Sequence, residues 1–115
     1  LPVVCLIGDG CFQMTCGEVA VAKRMGLTLP VVVLDDKWLA LIKVKQLRRQ
    51  FPLYGTELQT EDYSEPPAHY FGVPAHGVRS AAALEDAVKA ALTANGPTVI
   101  EAVVDSDHYV DTVYD

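Results

Sequence analysis

The chain has 115 residues, 9 Lys+Arg against 15 Asp+Glu, a formal charge of −6 and an apolar content of 50%. That size permits one domain with a real core. Its composition excludes disordered and collagen-like classes, and its acidic balance argues against a general nucleic-acid binder. No run approaches the roughly 20 apolar residues of a membrane span, and the first residues lack a basic-then-apolar leader. The expectation is a soluble, cytoplasmic protein with neither membrane nor nucleic acid as partner.

In chain order, residues 3–7 form a continuous apolar run stopped by Gly8-Asp9-Gly10, as for a strand buried on both faces and closed by a tight turn. Thr15 and Glu18 have capping-box spacing, after which Val19, Ala22 and Met25 recur with helical period until Gly26. Pro30 opens a second β-branched run, residues 31–34, which ends in Asp35-Asp36. Residues 1–36 therefore read as a βαβ unit. Residues 38–49 alternate Leu41, Val44 and Leu47 with Lys43, Lys45, Arg48 and Arg49, as on an amphipathic helix with a solvated basic face. A surface loop follows, then a short helix over residues 63–71 with Pro66 and Pro67 in its first turn. Residues 73–78 are a short strand, Ser80 caps a helix carrying Leu84, Val88 and Ala91, and residues 98–104 form a last buried strand.

Strands alternating with helices over short connections imply an α/β fold: a three-layer αβα arrangement around a doubly wound parallel sheet. Such sheets bind ligands beyond the carboxyl ends of their strands, where both acidic turns fall. The first strand begins almost at Leu1, so residues 1–115 read as one domain and as a fragment lacking an upstream strand and helix.

Three chemistries compete for the acidic turns. A dinucleotide site would use Gly8-x-Gly10 and Asp35, but Gln13 stands where the third glycine belongs. Asp9 would also repel a pyrophosphate, at about 4 kcal/mol for charges 4 Å apart at an effective dielectric near 20. A phosphoacceptor receiver would use Asp35-Asp36 but needs a further Asp after a later apolar strand, and residues 79–85 supply none. A divalent metal between Asp9 and Asp36 turns that repulsion into a bridge. Hard oxygen donors favour Mg²⁺, with Ca²⁺ or Mn²⁺ as substitutes, and helix N–H groups from the turn add anion binding. One glycine would let the chain reverse and the other would let backbone approach the phosphate.

Gly8-Asp9-Gly10, Glu18 early in a helix, Leu29-Pro30, and an acidic pair whose Asp36 lies 27 residues after Asp9 resemble the signature of thiamine-diphosphate enzymes. The match is to the C-terminal diphosphate-binding domain of the acetolactate synthase and 2-oxoacid decarboxylase group. It extends through residues 38–46 and 77–104 and so covers nearly the whole chain.

The resemblance implies thiamine diphosphate and Mg²⁺ as cofactors. It implies Asp9, Asp36 and the Trp38 backbone carbonyl as metal ligands. Gly8, Asp9, Gly10, Cys11, Asp36, Trp38 and Leu41 would bind cofactor, with Ile42 beside Leu41 on the substrate side. Cys11 stands where many relatives have Ser, and Asp35-Asp36 where Asn-Asn or a mixed pair is usual.

The resemblance also implies an enzyme, a lyase or transferase that decarboxylates a small-molecule 2-oxo acid, as an acetolactate-synthase-like carboligase. A simple 2-oxoacid decarboxylase, or a non-catalytic α/β module with structural acidic turns, remains the alternative. No catalytic residue falls on this chain, because the activating glutamate of the family lies in a pyrimidine-binding domain of the same enzyme or a partner subunit. The implied assembly is a homo-oligomer, and this chain by itself is expected to be inactive.

Other features read as structural. Cys5, Cys11 and Cys16 form no C-x-x-C pair and are expected to be reduced thiols. His69, His76 and His108 share no ligand spacing, Trp38 reads as a packing residue, and Asp105-x-Asp107 lacks the glycine and spaced Glu of a calcium loop.

Overall fold

The computed structural model describes residues 1–62 and 70–112. Its elements are β1 (Cys5–Gly8), α1 (Asp9–Thr15), α2 (Glu18–Arg24), β2 (Leu29–Asp35), α3 (Ala40–Arg48), β3 (Ala75–Val78), α4 (Ala81–Ala91), β4 (Pro97–Val103) and α5 (Tyr109–Thr112). The four strands form one parallel sheet in the order β1-β2-β4-β3.

The chain moves across the sheet one way from β1 to β2 and the other way from β3 to β4. Right-handed crossovers then put the two connecting helical segments on opposite faces, and the packing agrees. On one face Phe12 of α1 and Val19 of α2 cover Val31, Val33, Val73 and Val99. On the other, Ala91 of α4, with Leu84 and Val88, covers Val32, Ile100 and Ala102. The fold is therefore a three-layer, doubly wound α/β sandwich. Side-chain alternation along β2 supplies both cores, with odd positions to the α1 face and even positions to the α4 face.

Local signals behave unequally. Ser80 caps α4 as expected, its hydroxyl accepting from the Ala83 N–H at 3.2 Å. The Thr15/Glu18 capping box does not form. Helix α1 starts directly at Asp9, Thr15 ends it with its hydroxyl donating to the Cys11 carbonyl, and α2 restarts at Glu18 behind Gly17 without a side-chain cap. Strand β1 is not buried on both faces. Cys5 and Ile7 pack inward, whereas Leu6 is 67% exposed, because α4 reaches the strands beyond it and no described helix covers the second face of β1.

The expected helix at 63–71 falls largely outside the described residues. Its last two positions, Tyr70 and Phe71, lie in a turn closed by a bridge between Tyr70 and Val73. Cys5, Cys11 and Cys16 are free thiols, and His76 and His108 are exposed. His69 lies outside the described residues.

Two substitutions separate core from cap. Ile100 has no exposed surface, so Ile100→Ala is expected to cost about 2–5 kcal/mol in urea unfolding. Ser80→Ala is expected to cost roughly 1 kcal/mol through its lost cap.

Candidate functional site

The site is built where β1 and β2 end side by side. The pairing Gly8 with Leu34 places Asp9 next to the turn that leaves β2. Asp9 is 5% exposed and accepts three backbone N–H bonds. Oδ1 takes the Gly10 N–H at 2.8 Å; Oδ2 takes the Asp36 N–H at 3.2 Å and the Lys37 N–H at 2.7 Å. One carboxylate thus joins two corners of the chain. Lys37 enters the left-handed region, with φ of 68°, to aim its N–H at Asp9 Oδ2 and Asp35 Oδ1. A side chain there carries strain of order 1–3 kcal/mol, which the bonds around it must hold in place.

The glycines act otherwise than a tight turn would require. Gly8 is extended, with φ of −77°, and Gly10 lies inside α1, so neither needs the freedom of glycine to reverse the chain. A Cβ on Gly10 would come 3.0 Å from Leu39 Cδ2, so this glycine allows α1 to sit against the β2–α3 turn. A Cβ on Gly8 would meet no protein atom within 4 Å; Gly8 borders open space.

That space is a cavity of about 500 Å³. All seven residues named from the sequence for cofactor contact line it, as does Ile42. Asp36 is half-buried and its Oδ1 accepts from the Trp38 N–H at 3.0 Å. Burial pushes the Asp36 carboxyl above the usual carboxylate range, and the charge and close contact of Asp9 add to this against the opposing Trp38 bond. The two acids are therefore neighbours in space.

Trp38 bridges to Glu57 through flanking bonds, from Leu39 N–H to the Thr56 carbonyl and from Leu58 N–H to the Lys37 carbonyl, each 2.8 Å. Among the described residues no hydrogen bond falls on the Trp38 carbonyl itself. The Trp38 ring packs under Lys43, whose Nζ lies 3.8 Å from the ring centroid. The basic face is solvated as its pattern suggests at Lys45, Arg48 and Arg49, which are exposed, while making local contacts: Lys43 covers Trp38, Arg48 donates to the Val110 carbonyl, and Lys37 pairs with Asp62.

Beneath the cavity floor lies a buried acidic layer in which Asp35, one of the acids the sequence pointed to, meets Glu101, which it did not. Asp35 continues the inward face of Val31 and Val33 and has no exposed surface, and neither does Glu101 of β4. Burial first, then contact with Glu101 and Asp9, push the Asp35 carboxyl up to about 8. The Tyr70 phenol is also pushed up, by burial and then by the charge of Glu101, and its ring meets Phe12 edge-on at 5.3 Å.

Carboxylate oxygens of Asp35, Asp62 and Glu101 lie within 4.8 Å of one another. Lys37 supplies the cation here: the bond to Asp62 raises its pKa most, and attraction to Asp35 and Glu101 adds to that. Arg79 binds the other Asp62 oxygen at 2.7 Å. The one sequence signal for this layer was a glutamate inside the otherwise apolar run at 97–104.

Tyr109 was also missed. It lines the cavity beside Asp36, and its phenol is pushed up by burial and then by the charges of Asp36 and Asp9. The Asp105-x-Asp107 pair forms a local turn, with the Asp107 N–H on Asp105 Oδ1 at 2.9 Å.

Comparison with known proteins bears on this geometry. Residues 1–102 match the profile of the family described as thiamine pyrophosphate enzyme, C-terminal TPP binding domain. The acetolactate synthase isozyme 2 large subunit of Escherichia coli strain K12 is 30% identical over 104 residues, covering 90% of this chain and 19% of that protein. The catabolic acetolactate synthase of Raoultella terrigena is 29% identical over 103 residues, covering 90% and 18%. Benzoylformate decarboxylase from Polynucleobacter necessarius superposes with a TM-score of 0.79 at 24% identity, over 92% of this chain and 20% of that one; this likeness is one of fold. The chain thus spans about a fifth of the length of these relatives.

The Asp35 environment gives a pH prediction. Its folded value lies above the unfolded value of 3.8, so the native state holds this proton more tightly. The corresponding stability is complete below about pH 4 and is lost as pH rises through about 8, at no more than about 1.4 kcal/mol per pH unit. Asp35→Asn keeps a neutral group of the same shape. The stability gap between this variant and the parent in urea unfolding is expected to widen from about pH 5 to about pH 8. Parallel pH profiles would remove Asp35 from the account.

Proposed function

Because the chain belongs to the C-terminal TPP-binding domain family of thiamine pyrophosphate enzymes, we propose that it anchors the diphosphate of thiamine diphosphate through Mg²⁺ in an acetolactate-synthase-like enzyme. The substrate would be a 2-oxo acid. The observation that carries this reading is the contact of Asp9 with Asp36, two carboxylates distant in sequence, at the floor of a cavity that Gly8 leaves open. Burial first, and then the charge of Asp9, holds Asp36 above its ordinary pKa, and a divalent ion between the two acids would relieve their repulsion.

The donors fit such an ion. Asp9, Asp36 and the Trp38 carbonyl, which no hydrogen bond engages among the described residues, are all hard oxygens, the ligand class of Mg²⁺. In this role Asp9 and Asp36 would hold the ion and Trp38 would complete the protein's share of its ligands. The Gly10 N–H is turned onto Asp9, whereas the first-turn N–H of Cys11 has no carbonyl of its own helix to bond and can face an anion. Leu41 and Ile42 would supply an apolar wall that excludes water from the reacting end. Bound thiamine diphosphate supplies the carbanion chemistry that decarboxylates 2-oxo acids.

The names of the relatives at 29–30% identity favour the carboligase over a simple decarboxylase. The activating glutamate and the pyrimidine-binding domain would come from the same enzyme or from a partner subunit of a homo-oligomer, so this chain would anchor without turning over. No described helix is long and apolar enough to cross a membrane, and a cytoplasmic site of action is part of the proposal.

A second reading has its own observation. Asp9 is already satisfied by three N–H groups, which a purely structural clasp would also require. Calorimetric titration of thiamine diphosphate into the natural full-length protein, with and without Mg²⁺, separates the two. Asp9→Ala would also take the acceptor from the part-buried Gly10 and Asp36 N–H groups and leave the Lys37 N–H to Asp35 alone, so Asp36→Ala is the cleaner variant. It is expected to abolish Mg²⁺-dependent binding while leaving secondary structure intact; unchanged affinity refutes the metal site.

A further inference from the structure

The turn that leaves β2 is latched from outside the cavity. Lys37 and Asp62 both lie away from the cavity lining, yet the N–H, the carbonyl and the ammonium of Lys37 all have partners. Its N–H donates to Asp9 and Asp35, and its carbonyl accepts from the Leu58 N–H at 2.8 Å. Its ammonium pairs with Asp62 Oδ1 at 2.5 Å and donates to the Thr60 carbonyl at 3.3 Å. Asp62 gives its other oxygen to Arg79, the residue after β3, at 2.7 Å. One carboxylate therefore joins the turn after β2 to the end of β3, across the intervening strand β4. The Lys37 and Asp62 side chains are 25% and 22% exposed against 68% for Arg79, so the inner bond is the shielded one.

The latch closes on a residue that needs one. A φ of 68° is a conformation that lysine seldom takes, and it persists only where the surroundings hold it. In that conformation the Lys37 N–H reaches Asp9 Oδ2, and the Asp36 N–H falls on the same oxygen. We infer that Asp62 is a positioning residue for the proposed ion site: by gripping the Lys37 ammonium it keeps Lys37 left-handed, and so keeps the turn from Asp36 to Trp38 clasped to Asp9. Loss of a hydrogen-bond partner behind a ligating carboxylate weakens metal binding by about 10–100-fold. Asp62 acts on such a partner, the Lys37 N–H, without reaching the ion itself.

This inference rests on Asp9 and Asp36 holding an ion, and its test keeps the two apart. Mn²⁺ replaces Mg²⁺ as the probe, with free Mn²⁺ followed by electron paramagnetic resonance in the presence of thiamine diphosphate, on natural full-length proteins. Asp62→Ala and Lys37→Met each cut the latch, and each is expected to weaken Mn²⁺ binding about tenfold. Lys37→Gly takes the same φ with no side chain to hold. In that background Asp62→Ala is expected to change the affinity by less than about twofold, whereas a residue that merely supports the fold would weaken binding equally in both. In the metal-free protein, Asp62→Ala is expected to speed hydrogen exchange at the Asp36 and Lys37 amides at least about tenfold, with Val99 and Ile100 of β4 at the parent rate.

Parent-like Mn²⁺ affinity in Asp62→Ala, with binding abolished in Asp36→Ala, overturns the positioning role and leaves the ion site standing. An equal loss in the Lys37→Gly background, or unchanged exchange at Lys37, overturns it as well. Parent-like affinity in Asp36→Ala overturns both readings. Should Asp62→Ala fail to fold, Lys37→Met reports instead, and unchanged Mn²⁺ binding there overturns the proposal.

Discussion

The bonds from three backbone N–H groups to the Asp9 carboxylate are the constraint on which the site depends. They join the corner after β1 to the turn after β2, hold Lys37 in a left-handed conformation, and bring Asp36 against Asp9. Without that clasp, β1 and β2 would still pair, since their ladder depends on apolar alternation and parallel register. The loops beyond them would then have no reason to converge. A single acid is thus both part of the scaffold and one side of a proposed ion site, which is economical only because a carboxylate has lone pairs enough for both.

The acidic pair after β2 divides its labour through geometry. Asp35 is the last strand residue and follows the period of two that buries Val31 and Val33, so it points into the sheet's α1 face. Asp36 is the first residue past the strand and turns out to the cavity. Burying Asp35 beside Glu101 is costly unless the pair is protonated or compensated. Its raised pKa and the nearby Lys37 ammonium, itself fixed by Asp62, are the compensation the fold provides. The floor of the cavity therefore rests on buried acids set beside the Lys37 ammonium, while Asp36 faces the cavity above them.

The α3 helix carries this arrangement outward. Two of its basic residues make local contacts: Lys43 on the Trp38 ring and Arg48 on the backbone of the C-terminal segment. The cavity wall formed by Leu41 and Ile42 is exposed in this chain, at 60% and 51%. A face of this kind suits contact with a ligand or a further domain more than contact with water.

Much of this was legible in the residues. Apolar runs ended by acidic turns gave the strands and their carboxyl edge, Ser80 announced α4, and the spacing of Asp9 and Asp36 gave the pair that meets. These signals are local, and local periodicity decides which face a side chain takes. What the residues could not disclose depended on neighbours far along the chain. Leu6 is exposed because of where α4 lies, and the glycine at 10 answers to Leu39. Thr15 and Glu18 fall on two helices instead of one cap, and Glu101 is buried against Asp35 across two strands. Tyr109, far along the chain, comes to line the same cavity as Asp36. The sequence by itself determined the layers and the acids at their edge. Tertiary structure alone decided which acid faces the cavity and which is buried, because burial and charge compensation belong to the assembled neighbourhood and not to any one segment.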